Sequence, residues 1–409
     1  MALNILVYEY LSGGGCVGGE IPQETLCEGY AMLRGLISDL KAAGNRVTTI
    51  LDQRLARLKP PLEADHVFEA SSRTEFPSNL ERSYGLVDAA ILVAPESDGT
   101  LQGFVREIEN LKVKSLNCSS EAIGKASNKI EMYELLRRKG FQTPETVIID
   151  LGDDDETIKK MFYELGFPSV VKPSLGVGCL GLNLLTSRKD VEHAVKNLKK
   201  RNLSSVAVAQ RLVRGLAASV SLISTGGNVS AVTHNRQIVK LAKPGLKSSY
   251  MGGFTPFHHR MEGEAMKLAC RVVEAIRGLR GYIGVDMVLS EDKPYVVEVN
   301  PRVTTSYIGL RKVVCFNPAQ AILDAVLKKK LPKEACLQGC SFFMKVETTR
   351  PNHRKLAETY SLEEVASPPL PVSAGNPYAM LVTYSKTLRA AKNRFNQMRN
   401  LLQKTLGEA

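Results

Sequence analysis

The 409-residue sequence predicts a chain of mixed class, with a doubly wound α/β domain first and α+β subdomains built on antiparallel hairpins after it. Three observations carry this expectation. Over roughly the first 118 residues, apolar strand-like runs alternate with amphipathic helices, the pattern of βαβ units. Beyond about residue 140 the strands come in pairs separated by short turns. Finally, 44% of the residues are apolar and 23% charged, ordinary globular usage with material for several cores.

The elements follow in order. ILVYEY (5–10), the helical GYAMLRGLISDLKAAG (29–44), RVTTILD (46–52) and AAILVAPE (89–96) form the first domain, residues 1–118. SNKIEMYELLRRKG (127–140) is a helix capped by Asn128, with Glu131 three residues on, and stopped by Gly140. VVKPS returns as GLNLLTS. ASVSLIS turns through TGGN into VSAVTH, and VDMVLS turns through EDK into YVVEVN. The acidic DDDE at 153–156 reads as a helix N-terminus. Subdomains are expected over 119–209 and 210–331, with a C-terminal extension over 332–409 made of CSFFMKVET, a Pro-rich loop, YAMLVTYS and a basic helix.

The formal charge of +12 points to an anionic partner. Its densest stretch, 386–406, carries an apolar stripe at Leu388, Phe395, Met398, Leu402 and Leu406, and reads as a terminal helix docked by that stripe with a solvated basic face. No nucleic-acid recognition motif accompanies the charge, so a nucleic-acid partner is not expected. No apolar run is long enough to cross a bilayer, so no membrane partner is expected either. The expected location is cytoplasmic, and a homodimer is compatible with the chain. The eight cysteines are scattered and read as free thiols.

Four stretches carry chemistry. If a five-residue loop, 290–294, closes the last hairpin, Leu289 faces Tyr295 and Asp286 lies opposite Glu298, an unfavourable like-charge pair. Asn300 shares the face of Glu298 by the period of two, and this set of oxygens suits Mg2+, with Mn2+ as a substitute. Second, Lys172 ends an apolar strand before Gly176, Gly178 and Gly181. These glycines match GxGxxG in a strand-to-strand loop, where backbone N–H groups and the lysine would cradle phosphate. Third, Lys129 opens a helix, a placement that opposes the helix dipole unless a phosphate sits there; the alternative is an exposed lysine pointing away. Fourth, Gln210 interrupts an apolar strand that resumes after Gly215. Gln210 and the backbone of Arg211 and Val213 offer partners to an adenine edge, or form a plain connection.

In that order these pieces resemble the ATP-grasp superfamily over roughly residues 119–331. The resemblance implies a pre-ATP-grasp domain followed by a two-subdomain ATP-grasp fold. It implies ATP held by Lys129, Lys172, Gly176, Gly178, Gly181, Gln210, Arg211 and Val213, and Mg2+ held by Asp286, Glu298 and Asn300. Arg302, in EVNPR, matches the ExNxR form of the motif, where the arginine stabilises charge at the reacting centre. Leu216, Ala217 and Ala218 stand where many members hold ribose with a glutamate, and Gly284 stands where some carry an arginine. EYLSGGG, EGYAMLRGLISDL, LVAPESDG, HNRQ and YMGGFTPF further resemble the archaeal-type ATP-grasp ligases that include the tyramine–glutamate ligases of methanofuran biosynthesis.

The resemblance implies an ADP-forming carboxylate–amine ligase acting on small molecules through an acyl phosphate, with no protein nucleophile. Glu9, Glu96 or the leaving phosphate would accept the proton of the amine. Asn235 and Arg236 are the candidates for binding the acceptor or intermediate. Gly13, Gly15 and Gly18 also match GxGxxG, but the first acid ending a second strand is Asp52, too far along for a dinucleotide site. Ser12, Gly13 and Gly14 are therefore assigned, with Glu9 and Glu96, to the substrate, whose carboxylate the loop's N–H groups would hold. The alternatives are a basic binding protein without ligase activity and a dinucleotide-dependent oxidoreductase.

Overall fold

A computed structural model describes residues 2–72, 75–174, 179, 181–201, 205–333 and 336–407. Strands β1 (Asn4–Glu9), β2 (Arg46–Asp52), β3 (His66–Ala70), β4 (Ala89–Val93) and β5 (Lys114–Ser115) form a parallel sheet in the order β3-β2-β1-β4-β5. Parallel pairing buries both faces, which is why β1 and β4, inside the sheet, read as apolar runs. The helix Gln23–Ala42 starts six residues before the periodic stretch, since Leu26 and Cys27 are also buried.

Strands β6 (Thr146–Asp150), β7 (Ser169–Pro173), β8 (Asn183–Leu185) and β9 (Val206–Arg211) form a small antiparallel sheet, β6-β9-β7-β8, with its own core of Ile149, Phe162, Val171, Leu198 and Ala207. The helix Lys129–Arg138 leads into it. Asn128 caps this helix by accepting from the N–H groups of Ile130 and Glu131, and its amide donates to Glu131 Oε1 at 2.9 Å.

The large sheet holds β10 (Leu216–Ser224), β11 (Val229–Lys240), β12 (Ser249–Thr255), β13 (Gly281–Leu289), β14 (Pro294–Asn300), β15 (Cys340–Glu347), β16 (Val365–Ser367) and β17 (Tyr378–Ser385). Its order is β14-β13-β10-β11-β12-β15-β17-β16. The segment expected as an extension therefore continues this sheet, with Gly252–Thr255 of β12 paired to Ser341–Met344 of β15. The helix Gln23–Ala42 packs on one face of it, sharing a core with Phe343, Met380 and Val382. On the other face of β15 and β17 the basic helix Leu388–Leu406 docks through Ala391, Phe395, Leu402 and Leu406, with Leu388 and Met398 partly buried beside them. The stripe holds the helix, and the charges ride outside.

Two expectations need correction. A disulfide joins Cys315 to Cys336, brought together where Val314 bridges Leu337; the other six cysteines are free. The β13–β14 turn is one residue shorter than counted, so Leu289 faces Pro294. The register then shifts between Asp286 and Met287, with Val297 as the extra residue of a bulge, and this restores Asp286 opposite Glu298. Among the described residues, no helix is long and apolar enough to cross a membrane.

Candidate functional site

The register places Asp286 across from Glu298, and Gly284 across from Asn300. The Asn300 amide donates to Asp286 Oδ2 at 3.1 Å, and the Gln237 amide of β11 donates to Oδ1 at 2.8 Å. These neutral donors do not offset burial, which with the facing Glu298 pushes the Asp286 carboxyl up to about 7. Glu298 behaves differently. Burial alone would raise it, but the Lys129 and Lys172 ammonium groups outweigh burial and hold it below the usual carboxylate range.

Lys129 Nζ lies 3.3 Å from Glu298 Oε1. The Lys129 N–H reaches Ser174 O, at the end of β7, at 3.4 Å, which ties this helix start to the strand that carries Lys172. Lys172 is 9% exposed; burial lowers its affinity for a proton, Glu298 opposes this, and Lys129 adds to it. Two lysines from two elements therefore converge on one carboxylate.

Lys129, Lys172 and Glu298 line one small cavity together with Ala126, Met132, Tyr133, Leu136, Thr143, Gln210 and Val297. Gln210 is buried and donates to Thr146 Oγ1 at 3.0 Å. The Arg211 N–H, expected at the adenine edge, is taken by Glu145 O at 2.9 Å; Val213 follows in the linker. Gly176 and Gly178 lie outside the described residues. Gly181 is left-handed, with φ of 75°, and its carbonyl accepts from the Asn183 amide at 2.9 Å.

Arg302 reaches into the first domain. Its Nε lies 2.8 Å from Glu96 Oε1, both side chains being largely buried; burial disfavours the guanidinium charge, and Glu96 restores it. Among the described residues the Glu96 oxygens have no partner beyond this ion pair, and both are buried. Glu9 ends β1 nearby. Its carboxylate accepts from the Leu11 N–H (3.1 Å), the Ser12 N–H (2.8 Å) and the Ser12 hydroxyl (2.6 Å). Burial nevertheless raises its carboxyl above the ordinary value. The N–H groups of Gly13 and Gly15 donate to Glu9 O and Tyr10 O. The carboxylate held by this loop is thus that of Glu9, and these N–H groups are not available to a substrate. Gly14 adopts φ of 97°, which a side chain would strain. Asp52, the acid considered for a dinucleotide ribose, is held by Arg54 through hydrogen bonds to Arg54 Nε (2.8 Å) and Nη2 (2.7 Å).

The structure does not bring Asn235 and Arg236 together. Asn235 shares the face of Asp286 and is fully buried, its amide donating to Ser219 and Ser221. Arg236 pairs with Ala218, and Ala218 with Met287, so Arg236 lies on the opposite face; its Nη1 donates to Ala217 O at 2.6 Å. Alternation along a strand forbids two neighbours from serving one site. Gln237, the next residue on the Asp286 face, is the β11 side chain that reaches the acidic pair, through Asp286. Counting by two from Asn235 would have found it.

No ligand accompanies the chain, so the fit of a divalent cation rests on the donors. Two facing buried carboxylates and an amide present several oxygens, and burial with the facing Glu298 raises one of the carboxyls. Among the described residues no group of three or more His, Cys, Asp or Glu is placed to hold a metal ion.

Comparison with known proteins agrees with this arrangement. The family described as pre ATP-grasp 3 domain matches residues 45–123, and the ATP-grasp domain family matches residues 126–306. Tyramine–L-glutamate ligase of Methanocaldococcus jannaschii is 30% identical over 237 residues, covering 58% of this chain and 61% of that protein. The Methanocaldococcus fervens protein of the same name is 31% identical over 225 residues, covering 55% and 62%. The matched region therefore spans about three-fifths of the length of these relatives. Biotin carboxylase from Campylobacter jejuni, solved as a β-γ-ATP complex, shares the fold at a TM-score of 0.72, with 16% identity, covering 96% of this chain and 89% of that one.

Proposed function

The chain belongs to the ATP-grasp superfamily, and on that premise we propose that it is an ADP-forming carboxylate–amine ligase that joins L-glutamate to an amine such as tyramine. The observation that carries the reading is the convergence of Lys129 and Lys172 on Glu298, with Glu298 facing Asp286, in the lining of one small cavity that also holds Gln210.

In this reading the cavity, with Gln210 and Val213, takes adenine, and Lys129, Lys172 and Gly181 take the phosphates. Asp286, Glu298 and Asn300 hold Mg2+ (Mn2+ as a substitute), which when bound neutralises phosphate charge. Gln237 fixes the carboxylate of Asp286. The γ-phosphoryl group passes to a substrate carboxylate, and the amine attacks the acyl phosphate to give amide, ADP and phosphate. This chemistry needs positioning and charge neutralisation more than a protein nucleophile. Arg302 offsets charge at the reacting carboxyl. Glu96, ion-paired to Arg302, takes the amine proton or orients the amine. Glu9 shapes the SGGG loop behind them. The substrates are small molecules, and a cytoplasmic location fits them.

The test incubates the protein with ATP, Mg2+, L-glutamate and a panel of amines, and reads ADP by a coupled assay and amide by mass spectrometry. ADP and amide are expected, with at least a hundredfold loss on Glu298→Ala. AMP as the product, or full activity of Glu298→Ala, would overturn the reading.

A further inference from the structure

A second charged cluster faces the same cleft and has no part in binding ATP. Lys345, on β15, has a side chain only 3% exposed, and its ammonium lies 2.9 Å from Glu24 Oε1 and 2.8 Å from Glu28 Oε1. Glu24 and Glu28 are one turn apart on the helix Gln23–Ala42, an i,i+4 like-charge pair that disfavours the helix on its own. Glu28 Oε2 also accepts from Thr305 Oγ1 at 2.7 Å, three residues after Arg302. The exposed Lys247, between β11 and β12, completes the ring on Glu24. Lys345 Nζ sits 5.9 Å from the ring centre of Tyr250.

Position makes this more than a clamp between helix and sheet. Asn235 and Gln237 of β11 share the face of Asp286; Gln237 pairs with Gly253, Gly253 with Phe343, and Lys345 is two residues further along β15. The sheet face that carries the metal-site acids therefore runs on to Lys345. Cys179 feels the charges of Glu28, Lys345, Glu24 and Glu298 together, and Tyr250 those of Glu28 and Asp286, so the two clusters lie near one another. The Glu24 and Glu28 side chains keep 18% and 15% exposure.

We propose that Lys345, Glu28 and Glu24 form the subsite for the zwitterionic end of an amino-acid substrate whose distal carboxylate reacts at the Asp286–Glu298 end of the cleft. The inference rests on the ligase reading and names how its acid substrate is recognised. Lys345 pairs with the α-carboxylate of the substrate, and Glu28 accepts from its α-ammonium, with Glu24 holding Lys345 in place. One ammonium flanked by carboxylates is the complement of a group that carries both charges on neighbouring atoms, and a simple monocarboxylic acid uses neither half.

The experiment measures KM for L-glutamate, with ATP, Mg2+ and tyramine, in wild type, Glu28→Gln, Lys345→Arg and Lys345→Met. Glutarate, which lacks the ammonium, and 4-aminobutyrate, which lacks the α-carboxylate, serve as competitors. ADP binding by calorimetry controls for folding, and Lys345→Arg keeps the charge if Lys345→Met fails to fold. The expected result is a KM for glutamate raised at least tenfold by Glu28→Gln and by either Lys345 variant, with ADP binding unchanged. Glu28→Gln should weaken inhibition by 4-aminobutyrate but not by glutarate, and the Lys345 variants should do the reverse. Wild-type turnover of glutamate with variant losses equal for both competitors would overturn the subsite and leave the ligase reading standing. No ADP formation by wild type with glutamate would overturn both.

Discussion

Replacing Asp286 with asparagine should destroy ATP turnover and yet stabilise the ligand-free protein. Folding carries the Asp286 carboxyl from an ordinary 3.8 to about 7, because burial and the facing Glu298 oppose its charge. Each unit is worth about 1.4 kcal/mol, so at pH 8 the ionised group costs the fold about 4 kcal/mol as an upper bound. Asparagine removes the charge but accepts through only one atom. One of the two donors, Gln237 or Asn300, then loses its partner, at about 1 kcal/mol. The net expectation is about 3 kcal/mol of added stability at pH 8. The sign against pH follows from proton binding: between pH 4 and 7 the folded state holds a proton that the unfolded state has lost, so wild-type stability falls as pH rises through this window. The advantage of Asp286→Asn should therefore shrink by about 1.4 kcal/mol per unit below pH 7, to under about 1 kcal/mol at pH 5. Urea unfolding in EDTA without nucleotide, at pH 5 and pH 8, measures it. A variant no more stable than wild type at pH 8, or an advantage independent of pH, would refute the reasoning.

Two further expectations concern the frame that holds the site. A Cβ at Gly215 would sit 2.1 Å from Leu289 O, so Gly215→Ala must push the linker off β13; a loss of about 2 kcal/mol in urea unfolding and weaker ADP binding by calorimetry are expected. Asp39 accepts from the Tyr307 hydroxyl (2.7 Å) and Arg311 Nε (2.9 Å), joining the first domain to the helix that follows Arg302. Asp39→Ala leaves the fully buried Tyr307 hydroxyl and the Arg311 cation without that partner. It should cost about 3 kcal/mol in urea unfolding, with kcat unchanged where the variant remains folded.

What could be read from the sequence was whatever is local or periodic. RVTTILD and YAMLVTYS coincide with β2 and β17 residue for residue, and the Asn128 cap is where the helix signals place it. The facing of Asp286 and Glu298 was legible only through compensation. The count assumed a longer turn and a regular ladder, while the chain uses a shorter turn and a bulge at Val297, and the two departures cancel at the one pair that matters. A carboxylate pair that survives such a slip is better evidence of function than a regular ladder would be, since either departure alone would have moved Glu298 away from Asp286.

Lys345 was out of reach for a different reason. In CSFFMKVET it is the one cation of a mostly apolar strand, and nothing local says which sheet that strand joins or which face the lysine takes. Both are set by β12, almost a hundred residues earlier, and by Glu24 and Glu28 more than three hundred residues away. Strand period settles alternation but not partners, and partners decide chemistry. The same limit explains Asn235 and Arg236, assigned together because they are adjacent: adjacency in a strand separates two side chains onto opposite faces, whereas Lys129, Lys172 and Glu298 meet because three distant elements converge. For this fold, a cation buried in a late strand with acids facing it from the first helix is the pattern to seek when the nucleotide motifs are already in place. Here that cation, Lys345, ties the first helix to the large sheet through Glu24 and Glu28.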